Sequence, residues 1–205
     1  MIFISHHASS PPVPCQWKLA KSRAWFAGLL WLIFWAGTGS APAQNAGPSE
    51  YQVKAAFLCN FGSFVEWPSN SFSNAAAPLV IGVFGSDQFR ADLERNVANR
   101  SNKNINGHPI AIRSINSFFD LTDCHILFVS ATEQKRLPSI LAKVERVNIL
   151  TVSENVADFS TAGVMISFFP DGQNRIRFEI NGDAASRAGL KVSSKLLALG
   201  RPAQR

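Results

Sequence analysis

Apolar and polar positions along the chain separate a leader, one strongly apolar helix, and a series of alternating strands and helices. Ala24 to Gly37 (AWFAGLLWLIFWAG) is an unbroken apolar run, preceded by Lys18, Lys21 and Arg23 and followed by small residues as far as Ala43. Residues 1–43 therefore read as a secretory signal peptide. Ala41 and Ala43 supply the small side chains that signal peptidase needs, which places cleavage before Gln44, with Ala46 as the second choice. A spanning helix wants about 20 apolar residues, so no stable membrane anchor is expected after cleavage. Residues 44–49 form a flexible lead-in to a domain over 50–200, and 201–205 form a C-terminal tail.

Ser49 and Gln52 make a capping-box signature for a helix from Glu50 to Trp67, where Pro68 disfavours the helical conformation of the residue before it. Val53, Phe57, Phe61 and Phe64 give that helix a large apolar face. Ala55, Ala56, Cys59, Gly62 and Ser63 give it a face of small side chains, suited to close approach of another helix or of a second copy of the chain. Strands are expected over 79–85, 110–115, 125–129 and 148–152, with helices over 88–97 and 134–145 between them. This alternation implies βαβ units and a largely parallel sheet. Asn106-Gly107 marks a turn. Residues 164–169 and 175–180 flank Pro170 to Asn174 and read as a β-hairpin, and Asn181 or Asp183 caps a final helix of about 15 residues. The fold class is α/β: a single domain with a mostly parallel sheet flanked by helices, a C-terminal β-hairpin and a final helix.

Charge changes this picture little. The chain carries 20 Lys and Arg against 14 Asp and Glu, and three of those cations lie in the leader, which leaves 17 against 14 and a net charge of +3. Nucleic acid is not expected as a partner. Four of the five tryptophans leave with the leader, so Trp67 is the single tryptophan of the mature chain. Cys59 and Cys124 remain, an even number in an oxidising compartment, and permit one disulfide.

Catalytic patterns are missing. His108, read in a turn, and His125, read at a strand start, have no ligand-spaced partners, and adjacent Cys124 and His125 face opposite sides of a strand. Gly82 to Ser86 sits where a nucleotide-binding turn would lie, without G-x-G-x-x-G or a P-loop lysine. No G-x-S-x-G elbow occurs. No enzyme activity, cofactor or metal is expected. The remaining polar placements are Glu66 beside Trp67 at the helix end, and Arg177 with Glu179 on one face of a strand. With Gly85 they are the candidates for a ligand or partner surface.

The chain resembles the YfiR-like family of secreted bacterial proteins, the domain of unknown function 4154 family. The resemblance rests on Tyr51 to Leu58, Phe64 to Pro68, Cys124 to Val129, Gly163 to Phe168, Arg177 to Asn181 and Ala188 to Leu197, in order along the mature chain. It implies a periplasmic α/β domain with no known catalytic activity. In the family's namesake the role is to bind the periplasmic sensor portion of an inner-membrane diguanylate cyclase and hold that enzyme off, with redox or envelope stress releasing it. The namesake uses more than one disulfide, whereas this mature chain can form at most one. The resemblance thus implies a regulatory binding protein in cyclic di-GMP signalling and biofilm control, and the small-residue helix face adds the expectation of a homodimer. The alternative is a periplasmic small-molecule sensor or solute-binding accessory, its pocket at the carboxyl ends of the strands near Gly85, Ser130 and Ser153.

Overall fold

The computed structural model describes residues 47–203; the leader, its cleavage site and Cys15 lie outside the described residues. Helix α1 runs over Glu50–Gly62 and opens on the expected capping box, Ser49 Oγ accepting from Gln52 N–H and Gln52 Oε1 accepting from Ser49 N–H at 3.3 and 3.0 Å. It stops five residues short of Trp67. Ser63 closes it by donating its N–H to Asn60 and Phe61, and Val65–Glu66 then form a short strand, β1, whose partner strand lies near the C-terminus. Pairing with a distant segment, invisible to local periodicity, overrides the helical pattern here.

The buried stripe of α1 is Lys54, Ala55, Leu58, Cys59, Phe61 and Gly62. It takes three of the five small residues read from the sequence, Ala55, Cys59 and Gly62, but only Phe61 of the four large ones. Ala55, Cys59 and Gly62 pack inside the domain; a Cβ on Gly62 would stand 3.0 Å from Ile105 Cδ1. Ala56 is half-buried and Ser63 exposed. The small side chains thus admit the chain's own sheet at Gly62, and the helix also packs against the next one in the chain, Asp87–Asn99.

The chain continues through β2 (Leu79–Phe84), α2 (Asp87–Asn99), β3 (Asn104–Ile105), β4 (His108–Ile115), β5 (Ile126–Val129), α3 (Leu137–Val144), β6 (Leu150–Glu154), α4 (Phe159–Ala162), β7 (Ile166–Pro170) and β8 (Ile176–Ile180). A 3₁₀ segment, Ala131–Arg136, replaces the expected first turns of α3, which carries Pro138 at its start. Asn106 and Gly107 turn between β3 and β4 with φ of 51° and 90°, as the Asn-Gly pair predicts.

The expected final helix is two short ones, α5 (Gly182–Arg187), capped by Asn181, and α6 (Ser194–Leu199), capped by Ser193. Gly189, at φ 75°, ends the first, and Lys191–Val192 form β9, the antiparallel partner of β1. The tail is not loose at its start: Arg201–Pro202 form β10, parallel to β8.

The strand order is β10-β8-β7-β6-β5-β2-β4-β3, with β2, β4, β5, β6 and β7 parallel and the β7–β8 hairpin antiparallel. This is the α/β, mostly parallel architecture expected. After β2 the chain steps to β4 on one side, then returns to add β5, β6 and β7 on the other, so the winding reverses between β2 and β5. Each strand sends alternate residues to opposite faces. Leu79, Ile81, Val83, Ile126, Phe128, Leu150, Val152, Phe168 and Phe178 meet α1, α2, α5 and α6 on one face. Phe84, Ile115, Cys124, Leu127 and Val129 meet α3 and α4 on the other.

Candidate functional site

In doubly wound sheets, ligands ordinarily bind outside the carboxyl ends of the strands, where the winding reverses. In this chain that crevice is filled around Gly85, and a pocket of about 380 Å³ lies beside it, lined by Tyr51, Gln88, Asp92, Ala131 and Glu154. Gly85, at φ 88°, turns the chain after β2, and its carbonyl accepts from Ser130 Oγ and Thr132 Oγ1 at 3.2 and 2.9 Å. A Cβ at Gly85 would collide with the Glu133 side chain. Ser130 and Ser153 are fully buried, and Ser153 Oγ donates to Val129 O at 2.9 Å. Beside them Lys54 and Glu154, 2 and 3 % exposed, form a buried ion pair. Glu154 also accepts from Ala131 N–H at 2.8 Å, and the more exposed Glu50 approaches the same ammonium from the preceding turn of α1. Burial pulls the Lys54 ammonium toward neutrality, but hydrogen bonds and charge from Glu154 and Glu50 outweigh it and the net shift is upward.

The open groove, of about 790 Å³, lies at the opposite, amino-terminal end of the strands. One wall is the zipped pair β1–β9, extended by Ser193 N–H donating to Phe64 O at 2.9 Å. Glu66, Trp67 and Ser193 line it there, with Phe72, Leu79, Asn106 and His108 opposite. Asn106 fixes the β3–β4 turn against the end of α1 by donating its side-chain amide to Gly62 O at 3.2 Å.

Beneath the groove the Phe72 ring lies between two imidazoles. The centroid of His108 is 3.8 Å away on one side and that of His125 is 4.2 Å away on the other, both nearly parallel to it. Trp67 stands edge-on to Phe72 and His125 at 6.4 and 6.3 Å. His125 Nδ1 accepts from Val80 N–H at 3.1 Å, so the ring proton sits on Nε2 and is donated to Ser71 O at 3.0 Å. His108 Nδ1 donates to Ala77 O at 2.7 Å. Burial, the larger influence, and the facing His108 hold His125 below the usual imidazole range. His108 itself begins β4 and is not in a turn.

The five candidate surface residues fall at three places. Glu66 and Trp67 share the groove, Gly85 sits in the filled crevice, and Arg177 and Glu179 lie at the β8 edge. The latter two share a face without pairing: Arg177 Nε reaches Asp171 Oδ2 at 3.3 Å, and Glu179 accepts from Arg201 at 2.8 Å. Asp171 organises the hairpin, accepting from the backbone N–H of Gln173 and Arg175 at 2.9 Å each; chiefly the bond from Arg175 holds its carboxyl well below the usual range.

Cys59 and Cys124 are free thiols in different cores on opposite faces of the sheet, which forbids a bridge between them without refolding. Burial pushes Cys59 up to about 11 and Cys124 up to about 12. Among the described residues no group of three or more His, Cys, Asp or Glu is placed to hold a metal ion.

Two features escaped the sequence reading. Lys54 stands at i, i+4, i+7 spacing with Leu58 and Phe61, and that spacing was the available sign of a buried lysine in need of a carboxylate. The imidazole stack had no local sign, because Phe72 comes from a separate loop.

Residues 51–201, from the first turn of α1 to the first residue of β10, match the sequence model of DUF4154, described as YfiR/HmsC-like. That span takes in all ten strands and six helices of the domain, and the chain belongs to the YfiR/HmsC-like family.

Proposed function

We propose that the mature chain is a periplasmic regulatory binding protein, which represses an inner-membrane diguanylate cyclase by binding its periplasmic sensor domain. Membership of the YfiR/HmsC-like family is the observation that carries this reading. Packing of Gly85 against Ser130, Thr132 and Glu133 weighs against the alternative, a small-molecule sensor with its pocket near Gly85, Ser130 and Ser153, and leaves it the neighbouring pocket of about 380 Å³ beside Glu154.

Selective binding of the inactive sensor arrangement shifts the cyclase toward it, by as much as the affinities for the two arrangements differ. The apolar side chains such an interface requires are exposed: Phe119 is 90 % and Leu199 70 % accessible. With Cys59 and Cys124 apart, release in this chain does not run through a bridge between them.

Co-purification of the protein with the sensor domain tests the reading. The complex is expected under both reducing and oxidising conditions. Failure to associate under either condition contradicts the proposal, and saturable thermal stabilisation by one small molecule without a protein partner returns the alternative.

A further inference from the structure

Loop 68–77 joins β1 to β2 and bears Phe72, part of the groove lining. Two imidazole hydrogen bonds tie its backbone to the sheet, His125 Nε2–H to Ser71 O and His108 Nδ1–H to Ala77 O, and the same two rings clamp Phe72 between them. Both tethers therefore depend on histidine side chains.

His125 is committed to one protonation state. Val80 O accepts from His125 N–H at 2.9 Å, the regular rung between β2 and the start of β5. The Val80 N–H on the same side needs the next rung, but Asp123, at φ 64°, turns the chain away from the sheet. The Nδ1 lone pair of His125 takes that place. A proton on Nδ1 sets two donors against each other and leaves the buried Val80 N–H without its acceptor, a cost that favours departure of the charged ring from this position. The titratable groups facing His125 are His108, across the Phe72 ring, and Asp123, in the turn before β5. Burial and His108 oppose the charged ring, hydrogen bonds to the Ser71 and Asp123 backbone and the Asp123 charge favour it, and the net shift is downward; the face of Phe72 attracts a cation without supplying an acceptor for Val80 N–H.

We propose that the His108–Phe72–His125 stack is a pH-sensitive latch: protonation of His125 releases loop 68–77 and remodels the groove beneath Trp67. The latch is independent of which partner the protein binds. In a compartment that follows external acidity it couples the shape of the groove to pH.

Hydrogen exchange of the full chain between pH 7.5 and 5.0, read alongside histidine ¹⁵N spectra of the same sample, tests this. At pH 7.5 His125 is expected as the Nε2–H tautomer, with 68–77 protected. As the pH falls from 6.5 toward the His125 midpoint, protection of 68–77, corrected for the intrinsic pH dependence of exchange, falls about tenfold per pH unit and is lost below the midpoint, while residues 150–154 stay protected. His125→Asn keeps an acceptor for Val80 N–H and cannot charge, so protection of its loop stays level across the range. Three results overturn the latch: a loop that remains protected after His125 has charged, a loop that opens at a pH other than the His125 midpoint, or the same opening in His125→Asn. The comparison of midpoints needs only the wild-type chain, so it decides the matter even where the variant does not fold.

Discussion

Lys54 and Glu154 show how one residue can be both a cost and a constraint. A buried ion pair contributes little over a well-packed apolar pair, yet removing one partner strands the other charge. Lys54→Met is expected to destabilise the domain by about 3–5 kcal/mol, and the double variant Lys54→Met/Glu154→Leu to recover much of that loss, both read by urea unfolding. Additive effects of the two changes would contradict the pairing. Because the Lys54 pKa lies above its unfolded value, its contribution is complete below pH 10.5 and disappears as pH rises through the folded value. His125 works in the opposite direction. Its folded pKa lies below 6.5, so stability is intact above pH 6.5 and falls as the pH drops from there through the folded value, where the unfolded chain takes up a proton the native ring refuses. Denaturant midpoints at pH 7.5 and 5.5 measure this loss, and His125→Asn is expected to remove the part due to the ring. The thiols give a third expectation. With pKa values pushed up to about 11 and about 12, Cys59 and Cys124 stay protonated and covered at pH 8. An aromatic disulfide reagent is expected to leave them unmodified in the native protein and to modify both after unfolding.

At the scale of elements, what could be read from sequence followed the range of the interaction that fixes each one. The strands β2 and β5 are continuous apolar runs, β8 alternates apolar and charged residues, and these together with β6 and β7 have turn residues near their ends, so their positions were legible to within a few residues. The end of α1 and residues 182–202 were not. Val65–Glu66 and Lys191–Val192 are strands only because they meet each other, and neither two-residue stretch carries a periodicity of its own. The single local sign that the final helix would divide was Gly189, at φ 75° and with Asn148 Nδ2 2.8 Å from where a Cβ would sit. Gly189→Ala is expected to cost about 1–2 kcal/mol, measured as a lowered unfolding midpoint; an unchanged midpoint would mean that the turn does not need a left-handed residue. The candidate site divides in the same way. Glu66 and Trp67 reach the groove because β1 carries them there, while Phe72 is placed by histidines far along the chain, His125 bonding a residue 54 positions earlier.

At the scale of the whole molecule, a doubly wound sheet keeps a small pocket at its usual ligand end and a larger groove at the other. Lys54 pairs with Glu154 at the carboxyl ends of the strands, where Tyr51 and Ala131 border a pocket of about 380 Å³, while β1–β9 and loop 68–77 wall the groove of about 790 Å³ at the amino ends. That arrangement suits recognition of another protein, which needs a shaped, partly apolar surface rather than a reaction chamber. The central claim is repression of a cyclase, and intracellular cyclic di-GMP in cells with and without this gene tests it most directly. The account predicts a rise on deletion, reversed by the full chain and not by a chain lacking residues 1–43. An unchanged level on deletion would contradict it.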